Sequence, residues 1–94
     1  MAIIERLKFK PVPMSTKLEL GSSGRIPCKA DGRIPPEIRW IKEDRPDLPD
    51  HVQNIGGTLQ FAVVESGDSG LYTCVATNDQ GTINVTVRVE IIGQ

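Results

Sequence analysis

Imidazole and aromatic rings are scarce in this 94-residue chain, which has one histidine, one tryptophan, one tyrosine and two phenylalanines. Each scarcity excludes something. With His51 as the single imidazole, no second histidine is there to complete a zinc site, and no base is in evidence for a nucleophile. Gly21-Ser22-Ser23-Gly24 has glycines but neither the spacing of a phosphate-binding loop nor a helix after it, so it reads as a turn. Apolar runs are short, far from the roughly 20 residues that span a bilayer. Charge of one sign is also lacking: the formal net charge is −1, which gives no general attraction for nucleic acid. Neither catalysis nor a cofactor is expected.

What the chain does have is a frame. Trp40 stands between Cys28 and Cys74, and the second cysteine closes the run Asp68-Ser69-Gly70-Leu71-Tyr72-Thr73-Cys74. This set resembles the immunoglobulin-type sandwich, in which two cysteines bridge facing sheets, a tryptophan packs on the bridge and a tyrosine fixes the corner before the second cysteine. The resemblance implies a Cys28–Cys74 disulfide. Closing a loop of that length stabilises a fold by roughly 4 kcal/mol in the chain-entropy model, a large share of the ~5–15 kcal/mol that a domain has. The other reading of the pair is two buried thiols, as in reduced intracellular modules. Asp68 reads as the cap of the turn beside Tyr72 rather than as a catalytic acid.

The resemblance implies an all-β, immunoglobulin-like sandwich of two antiparallel sheets with Greek-key connections, and period-two alternation places its strands. A strand over Leu7–Lys10 breaks at Pro11-Val12-Pro13 and resumes over Ser15–Leu20, with Leu18 and Leu20 facing inward. Such a switch of sheets points to the intermediate, or I-set, variety. Arg25–Ala30 is next, with Ile26, Cys28 and Ala30 inward and Pro27 awkwardly placed. Glu37–Lys42 presents Ile38 and Trp40 to the core, and a proline-rich polar turn covers residues 43–50. A short edge strand near His51–Ile55 precedes Gly56-Gly57, and Leu59, Phe61 and Val64 anchor the strand after it. Leu71–Asn78, a tight turn at Asp79-Gln80-Gly81, and Thr82–Ile92 complete the set. Residues 1–94 read as one immunoglobulin-like domain, with 1–5 and 92–94 as flexible ends. Met1-Ala2-Ile3-Ile4 has no signal-peptide character, so the chain reads as a piece of a longer protein whose secretion signal lies elsewhere.

Three surface features follow from the same parity. Asn84-Val85-Thr86 is an N-glycosylation acceptor, and with Val85 and Val87 inward Asn84 faces water, on the sheet that holds Trp40 and Cys74. Lys17, Arg25 and Lys29 are expected on one outer face, with Lys8 and Lys10 nearby, a basic strip suited to a glycosaminoglycan or an acidic partner. Ile41, Leu71 and Val75 should point outward as modest apolar exposure. Residues 1–45 carry ten Lys or Arg against six Asp or Glu, whereas Arg88 is the only such cation among residues 46–94.

More particular stretches stand beside the frame: Leu7-Lys8-Phe9 before Pro11 and Pro13, Ile26-Pro27-Cys28, Leu48-Pro49-Asp50-His51-Val52, and Gly57-Thr58-Leu59-Gln60-Phe61-Ala62. With them the chain resembles an extracellular domain of the protein-tyrosine-kinase-like-seven group, the receptor pseudokinases that include Off-track. That resemblance implies a single-pass plasma-membrane parent, with this domain outside the cell and no catalytic residue in it. It implies roles in cell adhesion, Wnt and planar-polarity signalling or axon guidance. The implied partners are proteins: neighbouring immunoglobulin domains, co-receptors or a second copy. The alternative is an intracellular structural repeat of a muscle filament protein. Only Cys28, Trp40, Tyr72 and Cys74 carry over, as structural positions.

Overall fold

A computed structural model describes residues 7–43, 45 and 47–93. The expected flexible end over 1–5 lies outside the described residues, as do Asp44 and Pro46 of the expected polar turn. The chain forms nine strands: Lys8–Phe9 (β1), Thr16–Glu19 (β2), Gly24–Pro27 (β3), Ala30–Asp31 (β4), Glu37–Lys42 (β5), Val52–Ile55 (β6), Thr58–Phe61 (β7), Gly70–Asn78 (β8) and Gly81–Ile92 (β9). The one helical element among the described residues is a 3₁₀ turn, Ser66–Asp68. β9 shows the cause most plainly. Asn84, Thr86, Arg88 and Glu90 are exposed, while Val87 and Val89 between them are buried, so one face of the strand meets water and the other the core.

Two layers result. The larger sheet has the order β2-β9-β8-β5, with β2 parallel to β9 and the other pairs antiparallel. The smaller runs β3-β7-β6. Two residues beyond β3 the same chain enters a short ladder between β4 and β1, Phe9 lying opposite Ala30. The first strand therefore does change sheets, leaving the β4 side at the cis Lys10–Pro11 peptide and joining β9 at Thr16. Leu18, Ile26, Trp40, Leu59, Phe61 and Tyr72 fill the space between the layers with Val64, Val87 and Val89.

Three details differ from the sequence reading. The strand expected over Arg25–Ala30 is two strands: β3 ends at Pro27, the Cys28 N–H still donates to the Gly57 carbonyl, and from Ala30 the chain pairs with β1 instead. Ala30, beyond that break, is half-buried rather than central. Leu20 is 36% exposed: β2 ends at Glu19, and the chain turns away at Gly21 with φ +84°. At the other end Ile92 closes the last strand as read, in the ladder opposite Glu19, and its carbonyl accepts from the Leu20 N–H at 2.8 Å; Gln94, of the end expected to be flexible over 92–94, lies outside the described residues.

Candidate functional site

The interior fixes what the surfaces can present. Trp40 on β5 lies directly opposite Cys74 on β8, so both side chains leave the same face of the sheet. Cys74 reaches across to Cys28, with the sulfur atoms 2.10 Å apart and the Cα atoms 6.7 Å apart. The pair is a disulfide, as the frame implies, and free thiols are not. The Trp40 indole N–H donates to the Gly57 carbonyl at 2.9 Å. The Cys28 N–H donates to the same oxygen at 3.2 Å. Gly57 thus joins the two layers at the bridge, a role that its place in a Gly-Gly turn does not advertise.

The corner before β8 is built around Asp68, which is 1% exposed. Its carboxylate accepts the Glu65 N–H at 2.8 Å, capping the turn. Its backbone carbonyl accepts the Tyr72 hydroxyl at 2.7 Å. Burial pushes the Tyr72 phenol well above its ordinary range, and the negative charges of Asp68 and Glu43 add to that. The Tyr72 ring meets Phe61 edge to face at 5.8 Å, and the Lys42 ammonium sits 5.6 Å from its centroid.

His51, read only as an edge residue, comes to the same corner. Its Nε2 is 2.8 and 2.9 Å from the two Asp68 carboxylate oxygens, and its Nδ1 faces Glu65 at 3.7 Å. No local spacing links His51 to Asp68, since the contact depends on how the two sheets close. A histidine held by a buried acid is part of a hydrolase triad. Here both ring nitrogens face carboxylates, and neither is presented to a hydroxyl. No group of three or more metal-ligating side chains with the geometry of an ion site is found among the described residues.

The outer faces differ in character. On the larger sheet Asn84 lies opposite Val75, and Val75 opposite Arg39. One row further on, Thr86 faces Thr73 with their hydroxyls 2.8 Å apart, and Thr73 faces Ile41. Leu71 is 41% exposed at the end of this face, opposite Arg88. The smaller sheet carries Arg25, Gln60 and Gln53 in one row across three strands. Lys29, Lys8 and Lys10 continue that exposed side along β3, β4 and β1, and Lys10 reaches Asp31 at 3.9 Å. Lys17 does not belong to this strip. Pairing of β2 with β9 puts it on the other sheet, opposite Glu90, because the strand break at Pro11-Val12-Pro13 moves the chain across before Thr16.

The family model described as immunoglobulin domain matches residues 8–78. With the layers, bridge, tryptophan and tyrosine corner all in place, the chain belongs to the immunoglobulin domain family. Its sequence is 45% identical, over 98% of its length, to the tyrosine-protein kinase-like otk of Drosophila mojavensis, and 43% identical to that of Drosophila melanogaster. It spans 9% of the length of these relatives. The structure of Drosophila OTK extracellular domains 3–5 superimposes with a TM-score of 0.88 at 45% identity, over 94% of this chain and 30% of that one. The titin M3 domain superimposes at 0.83 over 97% of this chain and all of that one, but at 22% identity, a likeness of fold alone.

Proposed function

We propose that this chain is an extracellular, non-catalytic recognition and spacing module of a cell-surface receptor. The observation that supports this most is the 45% identity over nearly the whole chain to a kinase-like otk, joined to a superposition of 0.88 on extracellular OTK domains. The disulfide agrees with it, since such bridges persist in oxidising compartments and are rare in the cytosol. The parent is a single-pass membrane protein acting in adhesion, Wnt or planar-polarity signalling, or axon guidance. Its partners are protein surfaces: neighbouring immunoglobulin domains, a co-receptor or a second copy. The domain turns nothing over, and rigid sheets present side chains for contact.

The outer side of the smaller sheet is the better docking face for an anionic partner, a glycosaminoglycan or an acidic protein. Lys8, Lys10, Arg25 and Lys29 lie there with Asp31 as a local counter-charge, and contacts of this kind weaken as salt screens them. The muscle-filament reading draws only on fold likeness at 20–22% identity.

The test compares binding of the complete ectodomain with and without this domain, at low and physiological salt, with surface-bound heparan sulfate and the candidate co-receptors as probes. Loss of binding on deletion supports recognition. Equal binding reduces the domain to a spacer. An intact mass without the two-hydrogen loss of a disulfide would argue for the intracellular reading.

A further inference from the structure

We infer that Asn84 carries an N-linked oligosaccharide and that this sugar covers the middle of the larger sheet's outer face, leaving the smaller sheet as the contact face. The inference rests on the extracellular reading above. Its chemistry is the acceptor triplet Asn84-Val85-Thr86, in which the middle residue is not proline. The fold supplies what the triplet lacks. Asn84 is exposed, and it sits inside a twelve-residue strand rather than at a loop tip, so a sugar there leaves from a fixed point and direction.

Apolar side chains of the same face lie beside that point. Val75 stands directly opposite Asn84, and Ile41 lies on the next strand beyond, one row along; both are half-buried. Side chains directly opposite on neighbouring strands are ~5 Å apart, which puts Val75 within reach of the first sugar ring; Ile41, two strands across and one row along, is about 12 Å away and is reached by the sugars that follow. The amide of Asn84 takes no part in the Thr73–Thr86 and Thr77–Thr82 hydroxyl pairs that tie this face together, so derivatising it breaks no contact between β8 and β9. The face is also balanced in charge, with Lys17, Arg39 and Arg88 against Glu19, Glu37 and Glu90, and has no electrostatic reason to draw a partner. The bond formed is an N-glycosidic link between the Asn84 amide nitrogen and the first sugar of a lipid-linked donor oligosaccharide. The amide proton departs with the lipid diphosphate leaving group.

The test expresses the full chain behind a secretion signal in insect cells. A peptide map should place an oligosaccharide on Asn84. Asn84→Gln and Thr86→Ala should each remove it, and Thr86→Ser should keep it. Hydroxyl-radical footprinting should label Val75 and Ile41 less in the glycosylated protein than after enzymatic removal of the sugar from the folded protein. Ile55, exposed on the smaller sheet, should label equally in both. Unmodified Asn84 in secreted, disulfide-bonded protein overturns the inference and leaves the receptor reading standing, and so does equal labelling of Val75 with and without the sugar. A protein that cannot be secreted and keeps both thiols free overturns both.

Discussion

The indole of Trp40 and the backbone of Gly57, seventeen residues apart, are joined by a 2.9 Å hydrogen bond in the interior. The same carbonyl holds the Cys28 N–H, so one peptide oxygen serves the tryptophan and one end of the disulfide. Gly57 has φ +92°, and a Cβ there would stand 2.9 Å from the Cys28 carbonyl oxygen. Neighbouring Gly56, with φ +60°, has open space around it. Gly57→Ala is therefore expected to cost about 3 kcal/mol, strain and clash together, and Gly56→Ala about 1 kcal/mol, from the left-handed backbone alone. Urea unfolding followed by the fluorescence of the single tryptophan measures both. Equal costs would show that the contact with Cys28 is not tight.

Tyr72→Phe removes the donor to the Asp68 carbonyl and leaves that oxygen unpaired beside the core. The expected loss near neutral pH is about 1–2 kcal/mol. The phenol also makes stability depend on alkaline pH. Its pKa is higher folded than the ordinary 10.0, so above that pH the unfolded chain sheds a proton that the folded chain keeps. Stability is present in full below about 10 and declines as pH climbs toward the folded value. Tyr72→Phe should flatten this decline relative to the parent, read as the urea midpoint in a series of alkaline buffers. Parallel curves would mean that other groups cause the alkaline loss.

What was legible in the sequence was whatever repeats locally. Alternation in β9 and the Asp68-x-Gly70-x-Tyr72-x-Cys74 corner need only neighbouring residues to be read, and the triplet at Asn84 comes with its own parity. What was illegible depends on closure in three dimensions. The role of Gly57 requires knowing that the turn after β6 ends under Trp40. The His51–Asp68 contact joins residues that share no element. The assignment of Lys17 to the wrong face shows the same limit: parity tells which way a side chain points within a sheet, but not to which sheet a short strand after a proline break belongs.

Trp40→Ala should cost roughly 3–5 kcal/mol, the usual range for truncating a buried aromatic side chain, since Trp40 is 4% exposed and packs in the cluster that holds the bridge. Trp40→Phe should cost less, because the ring still fills most of the space and the Gly57 carbonyl keeps the Cys28 N–H. Thermal melts of the two variants rank them. The ranking fails if Phe is as damaging as Ala, which would make the indole N–H rather than its volume the larger contribution.

His51 and Asp68 form a hydrogen-bonded pair whose acid is almost wholly inside, with side-chain exposures of 23% and 2%. Removing the imidazole leaves a buried carboxylate with the Glu65 N–H as its remaining donor. His51→Ala is accordingly expected to destabilise the domain by about 3 kcal/mol, as breaking one side of a buried pair does. Replacing the acid as well, in His51→Ala with Asp68→Asn, removes the stranded charge. The double variant should then be less unstable than the sum of the single changes, with a coupling of about 1–3 kcal/mol. Asparagine keeps an oxygen for the Glu65 N–H, so the turn cap survives and the cycle isolates the pair. Strict additivity in denaturant unfolding would show that the imidazole contributes packing at this corner and no hydrogen bond to the acid.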